Sequence, residues 1–161
     1  MLMASRRKSE SKPMPIPALD SLGLLSQGVY DCTLTELREQ FGKFQQSDRR
    51  PQLFRRLEDL YRNMQRSGLF DSLLIDGSFV TAKAAPNDID LVAVLRRGHD
   101  FERDLPVSEY SLVSRLLLNR RFGFDVIVAE NGSALYNTYL EFFGRVRDNP
   151  NVRKGLLRLA L

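Results

Sequence analysis

Three short apolar runs constrain this chain more than any other feature. Leu73-Leu-Ile75 ends in Asp76-Gly77-Ser78, Ile89 to Leu95 follows Asp88, and Phe124 to Ala129 is broken only by Asp125. Runs of this length, rich in Val and Ile and bounded by turn residues, read as strands covered on both faces. A strand covered on both faces needs helices, and the sequence supplies them. Pro51 suits a first helical turn, and Leu53, Phe54, Leu57, Leu60, Tyr61 and Met64 follow as an apolar stripe, with Gly68 as the stop. Thr33-Leu-Thr-Glu36 fits a capping box ahead of Leu37, Phe41 and Phe44. Residues 108–120 and a segment from Ser133 to Asn149-Pro150 carry helical spacing as well. The predicted order is helix, helix, strand, strand, helix, strand, helix. It implies an α/β (α+β) domain: a small mixed β-sheet flanked by helices.

The limits of that domain follow from composition. At 161 residues the default is one domain with one core. Pro13, Pro15 and Pro17 break any helix near the start, and Arg6, Arg7, Lys8 and Lys12 face only Glu10 there. Residues 1–27 are therefore expected to be a disordered basic tail, with a single domain over 28–161. Residues 1–12 carry +3 of the net charge of +4, so the remainder is close to neutral. No apolar run reaches the length of a membrane span, and the basic start leads into Ser, Lys and Pro and not into a signal core. With a single cysteine, Cys32, a disulfide framework is excluded and a cytoplasmic location is expected. One cysteine and one histidine, His99, cannot build a nitrogen–sulfur metal cluster. The closing segment, residues 155–161, is too short to assign.

Acids on apolar strands need a reason, because an ionised carboxylate in an apolar setting is costly unless paired or bound to a cation. Alternation puts Asp88 and Asp90 on one face of their strand, where they repel each other. A hard divalent cation with oxygen ligands removes that repulsion. Asp125 opens another strand, and if the two strands are neighbours, three carboxylates converge at one end of the sheet. Gly77 allows a ligand close to the backbone. Ser78 to Lys83 could form a helical turn whose N–H groups face an anion, with Lys83 a candidate to neutralise a triphosphate.

Gly77-Ser78 followed by Asp88-Ile89-Asp90-Leu91 resembles the signature of the polymerase beta-like nucleotidyltransferase superfamily, and Gly123-Phe124-Asp125-Val126-Ile127 resembles its third carboxylate strand. Asp76 to Lys83 with Pro86 to Asp90, and the closing Arg153-Lys-Gly-Leu-Leu157, are similar to a group of uncharacterised bacterial nucleotidyltransferase-like proteins. The broad resemblance spans roughly residues 70–130 and the narrower one 30–161. It implies a nucleotidyltransferase-like fold and an enzyme that moves NMP, most simply AMP, from an NTP to a hydroxyl acceptor with release of pyrophosphate. Asp88, Asp90 and Asp125 would be catalytic and hold two Mg²⁺ or Mn²⁺ ions, and Gly77 and Ser78 would hold the phosphates of the nucleotide, ATP in the simplest case. The acceptor would be a protein, an RNA or a small molecule. Asp76 departs from the broad signature, which has an apolar residue there, and it is the alternative acid for the third role. The other function class the sequence allows is a non-catalytic nucleotide- or partner-binding module, such as the regulatory half of a toxin–antitoxin type pair.

Overall fold

The computed structural model describes residues 16–161. Among these, seven strands and five helices follow one another: β1 (Val29–Cys32), α1 (Leu34–Phe41), α2 (Arg49–Ser67), β2 (Phe70–Asp76), β3 (Asp90–Leu95), α3 (Val107–Val113), α4 (Arg115–Phe122), β4 (Val126–Glu130), α5 (Ala134–Phe143), β5 (Arg145–Val146), β6 (Asn149–Arg153) and β7 (Leu156–Ala160). A 3-10 turn (Ser78–Val80) follows β2. The fold is a mixed α and β arrangement around a five-stranded sheet in the order β1-β7-β2-β3-β4. β1 with β7 and β3 with β4 are parallel; β2 is antiparallel to both β7 and β3.

The local signals explain most of the elements. Thr33 and Glu36 form the reciprocal capping box of α1. Gly68 closes α2 in the left-handed region at φ 67, where a side chain is strained. Ser133 accepts from the Tyr136 N–H and starts α5. The expected helix over 108–120 is two helices, because Ser114 adopts an extended conformation and caps α4 through Leu117 N–H.

Alternation along the strands sorts the core into two layers. Leu73, Ile75, Leu91, Ala93, Leu95, Val126, Leu157 and Leu159 face the helices α1 to α4, where Leu37, Leu53, Leu57, Leu60, Met64, Leu118 and Phe122 are buried. Leu74, Val92, Val94, Ala129 and Leu156 face the other way, against Phe143 and Tyr139 of α5. At about 25 cal/mol per Å² of apolar surface, full burial of each Leu, Val or Phe stabilises the fold by roughly 1.5–3 kcal/mol. Both layers depend on the same strands, so the two faces form as one unit. Cys32 is buried within the larger layer, and burial pushes its thiol up to about 12, which makes it inert.

Two further expectations are corrected, and the segment left unassigned takes its place. The tail does not extend to residue 27. Ile16 and Leu25 are buried, Gly155 N–H donates to Leu25 O at 2.9 Å, and Gln40 Nε2 donates to Pro17 O at 3.2 Å. Residues 1–15, the rest of that expected tail, lie outside the described residues. The helix from Ser133 stops at Phe143, where Gly144 N–H closes on Glu141 O, and the chain turns into the β5–β6 hairpin through Asp148 at φ 68. Pro150, read as a helix end, stands on the exposed strand β6, where a missing N–H is tolerated. Finally, the unassigned C-terminal segment is β7, an interior strand of the sheet. Among the described residues no helix is long and apolar enough to cross a membrane.

Candidate active-site cleft

The β2–β3 register pairs Asp76 directly with Asp90, so both side chains leave the same face of the sheet. The β3–β4 register pairs Leu91 with Val126, which puts Asp125 next to Asp90. All three carboxylates belong to the α5 side, the side of Leu74, Val92 and Ile127. There they line a cleft of about 660 Å³ whose other walls include Arg115, Arg147, Lys154, Tyr139 and Phe142.

Gly77 makes the close approach possible. Its backbone sits at φ 85 and ψ −170, a region essentially reserved for glycine. A Cβ at this position would lie 2.7 Å from Asp90 Oδ2 and 3.2 Å from Asp90 N. The carboxylate of Asp90 therefore packs against a bare backbone, and the Gly-Ser pair is a fitted part of the site.

Asp76 is buried. Its carboxyl is pushed up to about 6, chiefly by burial, with Asp90 adding to the effect; Lys154 and the Gly77 N–H oppose it. Lys154 Nζ lies 3.0 Å from Asp76 Oδ1, a buried ion pair inside the site. Asp90 is also held above the ordinary carboxylate range, first by partial burial and then by the charge of Asp88; Asp125 adds to this and Lys154 and Arg147 offset it. Asp125 moves in the opposite direction. Arg115 donates to both of its oxygens at 2.6 Å, and this holds its carboxyl below the ordinary value.

The other sequence candidates fall differently. Asp88 sits in the loop just before β3, where its Oδ1 accepts from the Ile89 N–H at 2.7 Å. Ser78 opens the 3-10 turn, and its carbonyl accepts from Thr81 Oγ1 at 2.7 Å. Lys83 is exposed at the end of that turn and does not line the cleft. Asp88, Asp90 and Asp125 thus come to one edge of the sheet but do not stand as a closed triad. Among the described residues no three His, Cys, Asp or Glu side chains converge tightly enough to hold an ion.

The structure adds residues that local sequence reasoning missed. Lys154 is fixed from both sides: its N–H donates to Gly144 O at 3.0 Å, and Gly155 next to it packs against the Ser26 carbonyl, too close for any Cβ. Arg147 comes from the turn of the β5–β6 hairpin. Arg50 is completely buried and donates to four carbonyls: Phe41 at 3.2 Å, Phe79 at 2.6 Å, Thr81 at 2.8 Å and Lys83 at 2.6 Å. Three of these belong to the loop after Gly77-Ser78, so one guanidinium sets its path. Desolvation lowers the pKa of Arg50, and Phe41 and Phe79 cover its plane at 5.9 and 5.4 Å. Arg49 holds the far end of the same connection, donating to Pro86 O at 3.1 Å and to Asn87 Oδ1 at 3.3 Å. The signal for Lys154 was the stretch Arg153-Lys-Gly-Leu-Leu157; nothing local marked Arg50.

An acidic sheet edge beside fixed cations and aromatic rings can hold an anion with an associated hard cation on one side and a planar group on the other. No curated protein and no solved structure matches the chain. A family profile matches residues 17–160, nearly the whole described domain, and the chain belongs to that family of unknown function, DUF6932.

Proposed function

We propose that this protein is a Mg²⁺-dependent nucleotidyltransferase that moves an NMP, most simply AMP, from an NTP to a hydroxyl acceptor. The observation that carries the reading is the register of β2, β3 and β4. It gathers Gly77-Ser78, Asp88 to Asp90 and Asp125 at one end of one sheet, from three separate segments of the chain. The resemblance to polymerase beta-like enzymes is thereby supported by adjacency as well as by spacing.

The donor set suits the metal in chemical type. Asp88 and Asp90 are hard oxygen donors, and the charge of Asp88 raises Asp90, a repulsion that a divalent cation relieves. In this reading Asp88 and Asp90 would hold the ions, and Asp125, whose oxygens both accept from Arg115, would be a third oxygen donor beside them. When bound, Mg²⁺ supplies charge stabilisation to the attacking and leaving oxygens. Lys154 and Arg147 face the phosphates, and Tyr139 and Phe142 offer ring faces to the base. The acceptor oxygen forms a bond to the α-phosphorus, the bond to the β-phosphate breaks, and pyrophosphate leaves with the electron pair. Asp125 takes the proton of the acceptor hydroxyl.

One observation favours a second reading. Arg115 occupies both oxygens of Asp125, and a site that keeps this pair binds nucleotide without transferring it. Label transfer from each α-labelled NTP, with Mg²⁺ and cell extract, decides between them. Transfer supports the enzyme. Metal-dependent NTP binding with no transfer supports the binding module. Neither binding nor transfer sinks both.

A further inference from the structure

A second surface carries uncompensated charge. Arg49, Arg56 and Asn63 are spaced seven residues apart on α2, so they lie on one face of the helix at intervals of roughly 10 Å. Arg121 of α4 donates to Asn63 Oδ1 at 3.0 Å and brings a third guanidinium to that row. Each of the three arginines is held in place. Arg49 bonds to Pro86 and Asn87, Arg56 lies 4.8 Å over the Phe124 ring, and Arg121 lies 4.9 Å over the Phe122 ring. Among the described residues none of them has a carboxylate within salt-bridge distance, whereas Arg62 on the same helix is paired with Glu58. A groove of about 720 Å³ follows the first half of the row, with Arg55 on its wall and Asp59 at its end.

Fixed guanidiniums without counter-charges are prepaid anion sites, since their side-chain entropy is already lost. Three of them over roughly 20 Å exceed the reach of one small anion and fit a chain of anions. No exposed large apolar side chain lies among the row residues, so nothing there would insert into a lipid surface. The row also touches the loops that lead to the carboxylates. Arg49 bonds the turn before Asp88, and Arg56 Nη1 donates to Phe122 O at 3.4 Å, three residues before Asp125.

We propose that the α2–α4 arginine row binds the phosphodiester backbone of a single-stranded RNA. The groove as a polyanion site stands on its own; the choice of RNA, whose hydroxyls can be acceptors, rests on the nucleotidyl-transfer reading. The test is fluorescence anisotropy of the full chain with a labelled single-stranded RNA of about a dozen nucleotides, without NTP or metal. Affinity should fall with salt at a logarithmic slope of about −0.7 for each phosphate contacted, giving roughly −2 for three contacts. Arg56→Gln with Arg121→Gln should weaken binding by about tenfold or more and bring the slope near −0.7. Arg38→Gln on α1 should change nothing. Arg121→Gln alone, at an exposed position, serves if the double variant does not fold. Asp90→Asn should bind RNA as wild type does, so a failed transfer reaction with intact RNA binding counts against the active site and not against the row. The proposal is overturned by an absence of RNA binding, by equal affinity for poly-glutamate or anionic vesicles, or by unchanged RNA affinity in the folded arginine variants.

Discussion

Asp76 and Asp90 stand opposite each other across the β2–β3 ladder on one face of the sheet, with the ammonium of Lys154 3.0 Å from Asp76. One lysine is thus set against two acids on neighbouring strands, in a site that also feels Asp88 and Asp125. Such an arrangement costs stability when all its acids are ionised, and a bound divalent cation reverses that cost. Binding is then linked to the charge state of the edge.

The linkage gives a pH signature. Asp76 is raised in the folded state to about 6, from an ordinary value of 3.8. An acid whose pKa rises on folding favours the fold while protonated in both states. That contribution is lost as pH climbs from the unfolded value through the folded one, here from about 4 to about 6. Asp76→Asn cannot titrate. The stability of this variant relative to wild type should therefore improve by up to roughly 3 kcal/mol between pH 4 and pH 7. Urea unfolding of both proteins across that range checks it. A flat difference would mean that Asp76 is not desolvated.

Arg50 should be among the most sensitive positions in the chain. Arg50→Met keeps much of the volume but orphans carbonyls of Phe41, Phe79, Thr81 and Lys83. A loss on the order of 3–5 kcal/mol is expected, against a total of only 5–15 for a domain of this size. Denaturant midpoints measure it. A loss below about 1 kcal/mol, the size of a surface arginine's contribution, would contradict the described packing.

Gly77→Ala separates backbone strain from chemistry. The glycine-only conformation and the contact with Asp90 together should cost about 1–3 kcal/mol or more. Because the added methyl points at Asp90, divalent metal affinity should also fall, even in the folded fraction. Calorimetry with Mn²⁺ and thermal melts read the two effects. Wild-type melting temperature and Mn²⁺ affinity together would show that the chain does not take this turn.

The sequence made some of this legible for local reasons and hid the rest for nonlocal ones. Asp88, Asp90 and Asp125 are visible because they stand at the heads of apolar runs, yet all three are exposed and the buried acid is Asp76; Gly77-Ser78 is visible as a small-residue turn at a strand end. Caps such as Thr33 and Gly68 are equally local. The strand β7 was not legible: five residues carry too little periodicity, and it is interior only because β1 and β2 flank it from distant parts of the chain. Lys154 was hidden with it. Arg50 is not legible locally, because an arginine among charged residues looks solvated until the loop it anchors is in place.

The pair Arg115–Asp125 should act on chemistry and leave stability alone. Both side chains are more than half exposed, so Arg115→Ala should shift stability by no more than about 1 kcal/mol. Asp125→Ala should abolish nucleotidyl transfer while Mg²⁺·NTP binding persists. If Asp125→Ala transfers at the wild-type rate, the third role passes to another acid, with Asp76 the first to examine.

Asp90 pairs with Asp76 across the ladder and feels the charges of Asp88 and Asp125, and label transfer by Asp90→Asn is the most direct measurement of the proposed activity. With α-labelled ATP, Mg²⁺ and cell extract, wild type should label an acceptor. The folded variant should lose on the order of 100-fold or more in rate, the several kcal/mol of charge stabilisation that a misplaced metal forfeits, and should weaken Mg²⁺·ATP binding as well. Transfer by folded Asp90→Asn at the wild-type rate, or no label from wild type with any of the four NTPs, would contradict nucleotidyl transfer at this site.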